Sequence, residues 1–133
     1  MVNDLFFTPA TELRRLIDAK QVSIIELTEV FYRRIDELNP KLNAYLAICP
    51  DQAMRQAREA QDAVQRGDPL GPLHGIPVSV KDLEMTQGIP TTMGSALFRD
   101  RTPDMDSVVV ERLRQSGAII LGKTNTPEFG LSG

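Results

Sequence analysis

Between Ser23 and Leu38 the apolar residues Ile24, Leu27, Phe31, Ile35 and Leu38 recur every three or four positions. That period gathers them on one helical face, a stripe that must bury against a neighbour. Ser23-Ile-Ile-Glu26 has capping-box spacing, in which each side chain satisfies an orphan amide of the other. The same reasoning stops this helix at Asn39-Pro40, because proline disfavours a helical residue before it. Upstream, Thr8 is placed to cap a helix with Pro9 in its first position and Leu13, Leu16 and Ile17 on one face. Downstream, Leu42 to Ile48 reads as a strand. Pro50 then opens a third helix whose Ala53, Ala57, Ala60 and Val64 form a small-residue face, and Gly67 closes it.

The second half is built differently. Asp68 to Pro77 is rich in proline and glycine and reads as a shaped turn region, with no composition of a flexible linker. A short alternating strand follows, with Ile76, Val78 and Val80 on one face and Pro77, Ser79 and Lys81 on the other. Asp82 to Pro103 has little periodicity, and loops of this length in compact domains are often functional. A fourth helix is predicted from about Asp106 to Gln115, with Val109 and Leu113 inward and Gly117 closing it. Ala118 to Leu121 is wholly apolar, as a buried parallel strand requires. Strand, helix and strand in that order predict a right-handed crossover. The fold class is α/β: N-terminal helices, then the first strands of a mixed sheet flanked by helices. Residues 1–67 form a helical segment with one strand, and residues 68–133 the start of a core, together one incomplete domain.

Composition narrows the function classes. The 133 residues are 41% hydrophobic, enough to fill a core, and carry a net charge of −3. Residues 1–70 hold 9 basic and 11 acidic groups and residues 71–133 hold 6 and 7, so neither half offers a basic face. Nucleic acid and anionic membrane are therefore not expected partners. No apolar run approaches the roughly 18 residues of a membrane span. The N-terminus, with Asn3 and Asp4, has no basic n-region of a secretory signal. The single cysteine, Cys49, forms no internal disulfide and fits a reducing cytoplasm.

Lys81 is the leading candidate for chemistry. A free lysine titrates near ~10.4, so about four in ten thousand are neutral at pH 7. Work as a base needs burial or neighbours to lower that value by roughly 3 units. The alternative is a surface lysine paired with Asp82, although adjacent strand residues face opposite ways and make such a pair poor. His74 is the only histidine and Cys49 the only thiol; both read as turn residues. No histidine, cysteine and carboxylate cluster has metal spacing, and no metal or organic cofactor is expected. Glu84 and Asp104 read as loop and cap residues. Gly117-Ala-Ile-Ile-Leu-Gly122-Lys123-Thr124 matches the phosphate-loop pattern letter for letter. Its inner residues are an apolar strand and Asn125-Thr-Pro127 blocks a following helix, so Lys123 reads as a structural residue at a strand end.

Three segments together resemble the amidase signature family: Gly75-Ile-Pro-Val-Ser-Val-Lys81-Asp82, Thr91-Thr-Met-Gly-Ser95 and Gly122-Lys-Thr-Asn-Thr-Pro-Glu-Phe129. The resemblance covers the whole chain, with residues 71–130 specific in motif. It implies amide carbon–nitrogen hydrolysis by a lysine, a serine in cis peptide geometry and a nucleophilic serine, with Lys81 the catalytic base. Both serines belong to a longer Gly-Ser-rich stretch downstream of residue 133, and Ser132-Gly133 is not that stretch. The oxyanion hole would come from the same stretch. On this reading the 133 residues carry the lysine alone, are inactive by themselves, and need the remainder of their own polypeptide as partner. The resemblance further implies that Thr91, Thr92 and Ser95 support the cleft, and that Phe129 and Gly130 face a small-molecule amide. Two other readings stand beside it. One is a non-catalytic truncated module that self-associates, as a homo-oligomer, or binds a partner. The other is the amidotransferase subunit that makes aminoacyl-tRNA amides, against which Thr126-Pro127 stands where that subgroup commonly has Met-Asp.

Overall fold

Ser23 opens the longest helix, and its Oγ accepts from the Glu26 amide at 3.4 Å. The Ile24 amide, an orphan donor that a capping box does not reach, is satisfied from another element, by Gln61 Oε1 at 2.8 Å. The structure, a computed structural model, describes residues 2–131; Ser132-Gly133 lies outside the described residues. Its elements are α1 (Ala10–Asp18), α2 (Ile24–Leu42), β1 (Tyr45–Ile48), α3 (Pro50–Arg66), β2 (Pro77–Lys81), α4 (Val108–Gln115) and β3 (Ile119–Thr124). A 3-10 turn, Val2–Phe7, precedes α1, whose N-cap is Pro9, one residue later than the Thr8 cap expected.

Helix α2 runs past Asn39-Pro40, contrary to the expected stop. Pro40 lies in the last turn, so the bond it cannot donate is one of the final ones of the helix. Asn39 meanwhile clamps the chain that follows: its Nδ2 donates to the Tyr45 carbonyl at 3.1 Å and its Oδ1 accepts from the Tyr45 amide at 2.8 Å. Asn43, at φ 49°, ends the helix, and the strand accordingly starts at Tyr45 instead of Leu42. The prediction for α3 holds throughout: Pro50 stands at its start, Ala53, Ala57, Ala60 and Val64 are buried, and Gly67 caps it at φ 76°.

The strands form one sheet in the order β1-β3-β2, with β1 antiparallel and β2 parallel to β3. Among the described residues this is the mixed α/β arrangement expected, four α-helices with a three-stranded sheet. Central β3 is buried on both faces. Ile119 and Leu121 join a core with Leu13, Ile17, Ile24, Leu27, Ala53 and Val64, while Ile120 packs with Val80, Ile89 and Val110 on the other side. Two details differ from expectation. Val109 is 54% exposed and Val110 is the buried residue of α4, because the helix turns Val110 toward Val80, Ile89 and Ile120. Ile76 and Val80 pack in different cores, with Val78 reaching both. The register of β2 against β3 slips between Val78 and Ser79, and such bulges twist a strand locally.

Gly122 sits where β3 passes β1. A Cβ there would lie 2.2 Å from the Ala47 carbonyl oxygen and 2.9 Å from the Ile48 Cα, both backbone atoms that cannot rotate away. Gly122→Ala is expected to cost about 3 kcal/mol or more, at the upper end of overpacking effects. The midpoint of urea unfolding checks this, and an unchanged midpoint would show that β1 yields freely.

Candidate active site

Parallel strands β2 and β3 end side by side, with Lys81 paired to Thr124. Open α/β sheets bind their ligands outside the carboxyl ends of the strands, which is where Lys81 stands. Lys81 and Ser79 are both exposed, as the alternation of β2 predicts. The Tyr45 hydroxyl reaches across β3 to Ser79 Oγ. The Lys81 ammonium has no hydrogen-bond or ion-pair partner among the described residues.

The neighbouring carboxylate takes another cation. Asp82 turns inward, is buried, and faces the Lys123 ammonium at 3.7 Å. Its Oδ2 accepts from the Thr92 amide at 3.0 Å and the Thr92 hydroxyl at 2.5 Å. Lys123 is fully buried, donates to Thr91 Oγ1 at 2.9 Å, and donates also to the Glu84 carbonyl. Burial holds its ammonium below the ordinary lysine range, against the opposing pull of Asp82 and then Glu84. The surface pairing of Lys81 with Asp82 is thus not formed, and the two lysines are sorted: Lys123 is engaged inside, Lys81 is available outside.

The loops beyond these strand ends interlock. The Met93 amide donates to the Asp82 carbonyl at 3.0 Å, and the Phe129 amide to the Met93 carbonyl at 2.8 Å. Two main-chain bonds therefore lead from the residue after Lys81 to Phe129. Ser95 Oγ donates to Glu128 at 2.6 Å, tying the same two loops through side chains. Met93 (φ 54°) and Phe129 (φ 52°) are both held in the left-handed region without being glycine, a strain that surrounding contacts must impose. Phe129 is 46% exposed, its ring edge-on to Phe98 at 6.1 Å, and Gly130 follows it at φ 74°. Thr91, Thr92 and Ser95 all spend their hydroxyls on the bonds of this framework.

Sequence reasoning missed the inward role of Asp82. Its signal was available: if Lys81 faces outward, the next residue faces in, and a buried carboxylate needs a cation or donors. The other singled-out groups lie elsewhere. His74 Nε2 donates to the Ala60 carbonyl at 2.9 Å, while Cys49 Sγ donates to the Ile120 carbonyl at 3.2 Å. Glu84 accepts from Ser107 Oγ at 2.6 Å, and Asp104 is exposed in the loop ahead of Ser107, the residue that stands at the α4 N-cap. No metal-binding cluster exists among the described residues. The phosphate-loop reading fails on geometry, because its inner residues are buried strand and only a 3-10 turn, Glu128–Gly130, follows. Burial pushes the Cys49 thiol up, outweighing the lowering by Tyr32 and Arg114. Iodoacetamide at pH 7.5 is therefore expected to modify Cys49 about tenfold more slowly in the native than in the denatured protein. Peptide mass spectrometry reads the ratio, and equal rates would contradict this burial.

Known proteins are similar to this chain. The acylamidase of Rhodococcus erythropolis is 39% identical over 130 residues, 98% of this chain and 27% of its own length. A glutamyl-tRNA(Gln) amidotransferase subunit of an Azoarcus species is 46% identical over 121 residues, 91% of this chain and 25% of its own. The solved peptide amidase of Stenotrophomonas maltophilia superposes with a TM-score of 0.85 at 35% identity, over 92% of this chain and 25% of that one. The chain thus spans about a quarter of the length of the relatives it matches. No helix among the described residues is long and apolar enough to cross a membrane. The family model Amidase matches residues 26–133, from the first turn of α2 through the strand ends that hold Lys81 and Lys123, and the chain belongs to that family, the amidase signature enzymes.

Proposed function

We propose that these 133 residues supply the lysine base of an enzyme that hydrolyses the carbon–nitrogen bond of small-molecule amides. The observation that carries the reading is the sorting of the two lysines: Lys81 projects free at the carboxyl end of a parallel strand, while Lys123 is held within. Neutral Lys81 takes a proton from a serine in cis geometry, which takes one from the nucleophilic serine. That serine attacks the amide carbonyl, the amine leaves with the returned proton, and water then hydrolyses the acyl-enzyme. Both serines are assigned to the longer polypeptide, which is the partner these residues require. The exposed Phe129 ring and Gly130 line the approach to the amide. Cytoplasmic location and general or cyclic-amide substrates belong to the same reading.

A fluorophosphonate, which labels activated serines, tests it on the full-length protein together with release of amine from benzamide and p-nitroacetanilide. Labelling of one serine with turnover supports the reading. Turnover by the isolated 133-residue piece would overturn it, because a nucleophile would then lie within these residues. The 46% identity to the Azoarcus protein favours a second reading, an amidotransferase subunit, with Thr126-Pro127 as the departure from it. Glutamine as sole productive amide would select that reading.

A further inference from the structure

We infer that Asp82 and Lys123 are positioning residues for Lys81, a buried charge pair whose task is to fix where the Lys81 ammonium points. The inference rests on the reading of Lys81 as base. Lys81 is the last residue of β2, and the turn after it begins with the Glu84 amide donating to the Lys81 carbonyl at 3.0 Å. Lys123 holds that turn through the Glu84 carbonyl. Asp82, on the other side of the same peptide, is fixed at four points: its amide to the Thr124 carbonyl at 3.0 Å, its carbonyl to Met93, and its Oδ2 twice to Thr92. Neighbouring residues of a strand face opposite ways, so anchoring Asp82 inward holds Lys81 outward.

The pair is poorly optimised as a source of stability. Asp82 Oδ1 has no hydrogen-bond partner among the described residues, and 3.7 Å from Lys123 is beyond a direct bond. Buried ion pairs are commonly matched or bettered by apolar residues of similar volume. This one instead connects three segments, the β2 end, the Thr91–Thr92 loop and β3, which its bonds gather at Asp82, the residue after Lys81. A base misplaced by about 1 Å can lose on the order of a hundredfold in rate.

The test uses full-length protein with p-nitroacetanilide and benzamide as probes. The uncharged double variant Asp82→Asn with Lys123→Met is expected to lower kcat about a hundredfold and leave KM within about twofold, since positioning acts on the chemical step. An unchanged kcat would overturn the inference. If that variant does not fold, Thr91→Val decides: it removes the bond from Lys123 and the bond to the Ile89 carbonyl. It is expected to lower kcat about tenfold at constant KM in a protein that still unfolds cooperatively, at a lowered thermal midpoint. A KM rise at constant kcat in either variant, or an unchanged kcat in Thr91→Val, also overturns it. Lys81→Ala is run alongside. Full activity in that variant refutes the assignment of the base, whereas an inactive Lys81→Ala beside a fully active double variant refutes positioning alone.

Discussion

Lys81→Ala in the full-length protein is expected to lower kcat for amide hydrolysis by about 10²- to 10⁴-fold, the range of a lost general base. Stability should hardly change. The side chain is exposed and partnerless among the described residues, and substitutions at such positions usually stay within about 0.5 kcal/mol. This separation of activity from stability distinguishes a base from a lysine that braces the sheet. Lys81→Arg sharpens the result. Arginine keeps the charge and much of the reach but does not give up its proton in proteins. A lysine that merely attracts an anionic group of a substrate would be rescued by arginine, whereas a proton acceptor would not. Steady-state kinetics of the three proteins, with their thermal midpoints, read both quantities. Recovery of kcat in the arginine variant would sink the base assignment.

What could be read from the sequence follows from how local each cause is. The start of α3 and its small-residue face need only Pro50, four apolar positions and Gly67, so pattern alone predicts them. Lys81 at an outward position of β2 needs only the period of two. The errors arise where a distant residue decides. Asn39 bonds both main-chain polar groups of Tyr45, which fits a helix carried through Pro40 and a strand that begins late. The slip of β2 against β3 depends on a strand some forty residues away, and with it the separation of Ile76 from Val80. Asp82 is the most instructive case. Its neighbour in sequence is a lysine, yet its cation is Lys123, brought to it by the parallel pairing of two strand ends. Phe129 illustrates a different limit: its left-handed backbone is unusual for its side chain, and the bond to Met93 that accompanies it joins two loops.

Lys123→Ala is expected to be strongly destabilising, by about 3–5 kcal/mol, because it leaves Asp82 buried with no cation. The removed side chain also takes donors from Thr91 and from the Glu84 carbonyl, and opens a cavity beside Asp82. The uncharged pair Asp82→Asn with Lys123→Met should recover most of that loss, since it removes both charges and fills most of the volume. The effect of the single change carries a pH signature. Burial lowers the folded-state value of Lys123, so between that value and the ordinary ~10.4 the unfolded chain binds more protons. Stability from this group therefore rises with pH across that window, and is at its least below it. Lys123→Ala abolishes the rise, so the gap between parent and variant should widen as pH climbs toward 10. Urea unfolding at several pH values between 7 and 10 measures it. A gap that narrows over that range would mean that Asp82 and Glu84 outweigh burial, and that the folded state favours the charged lysine.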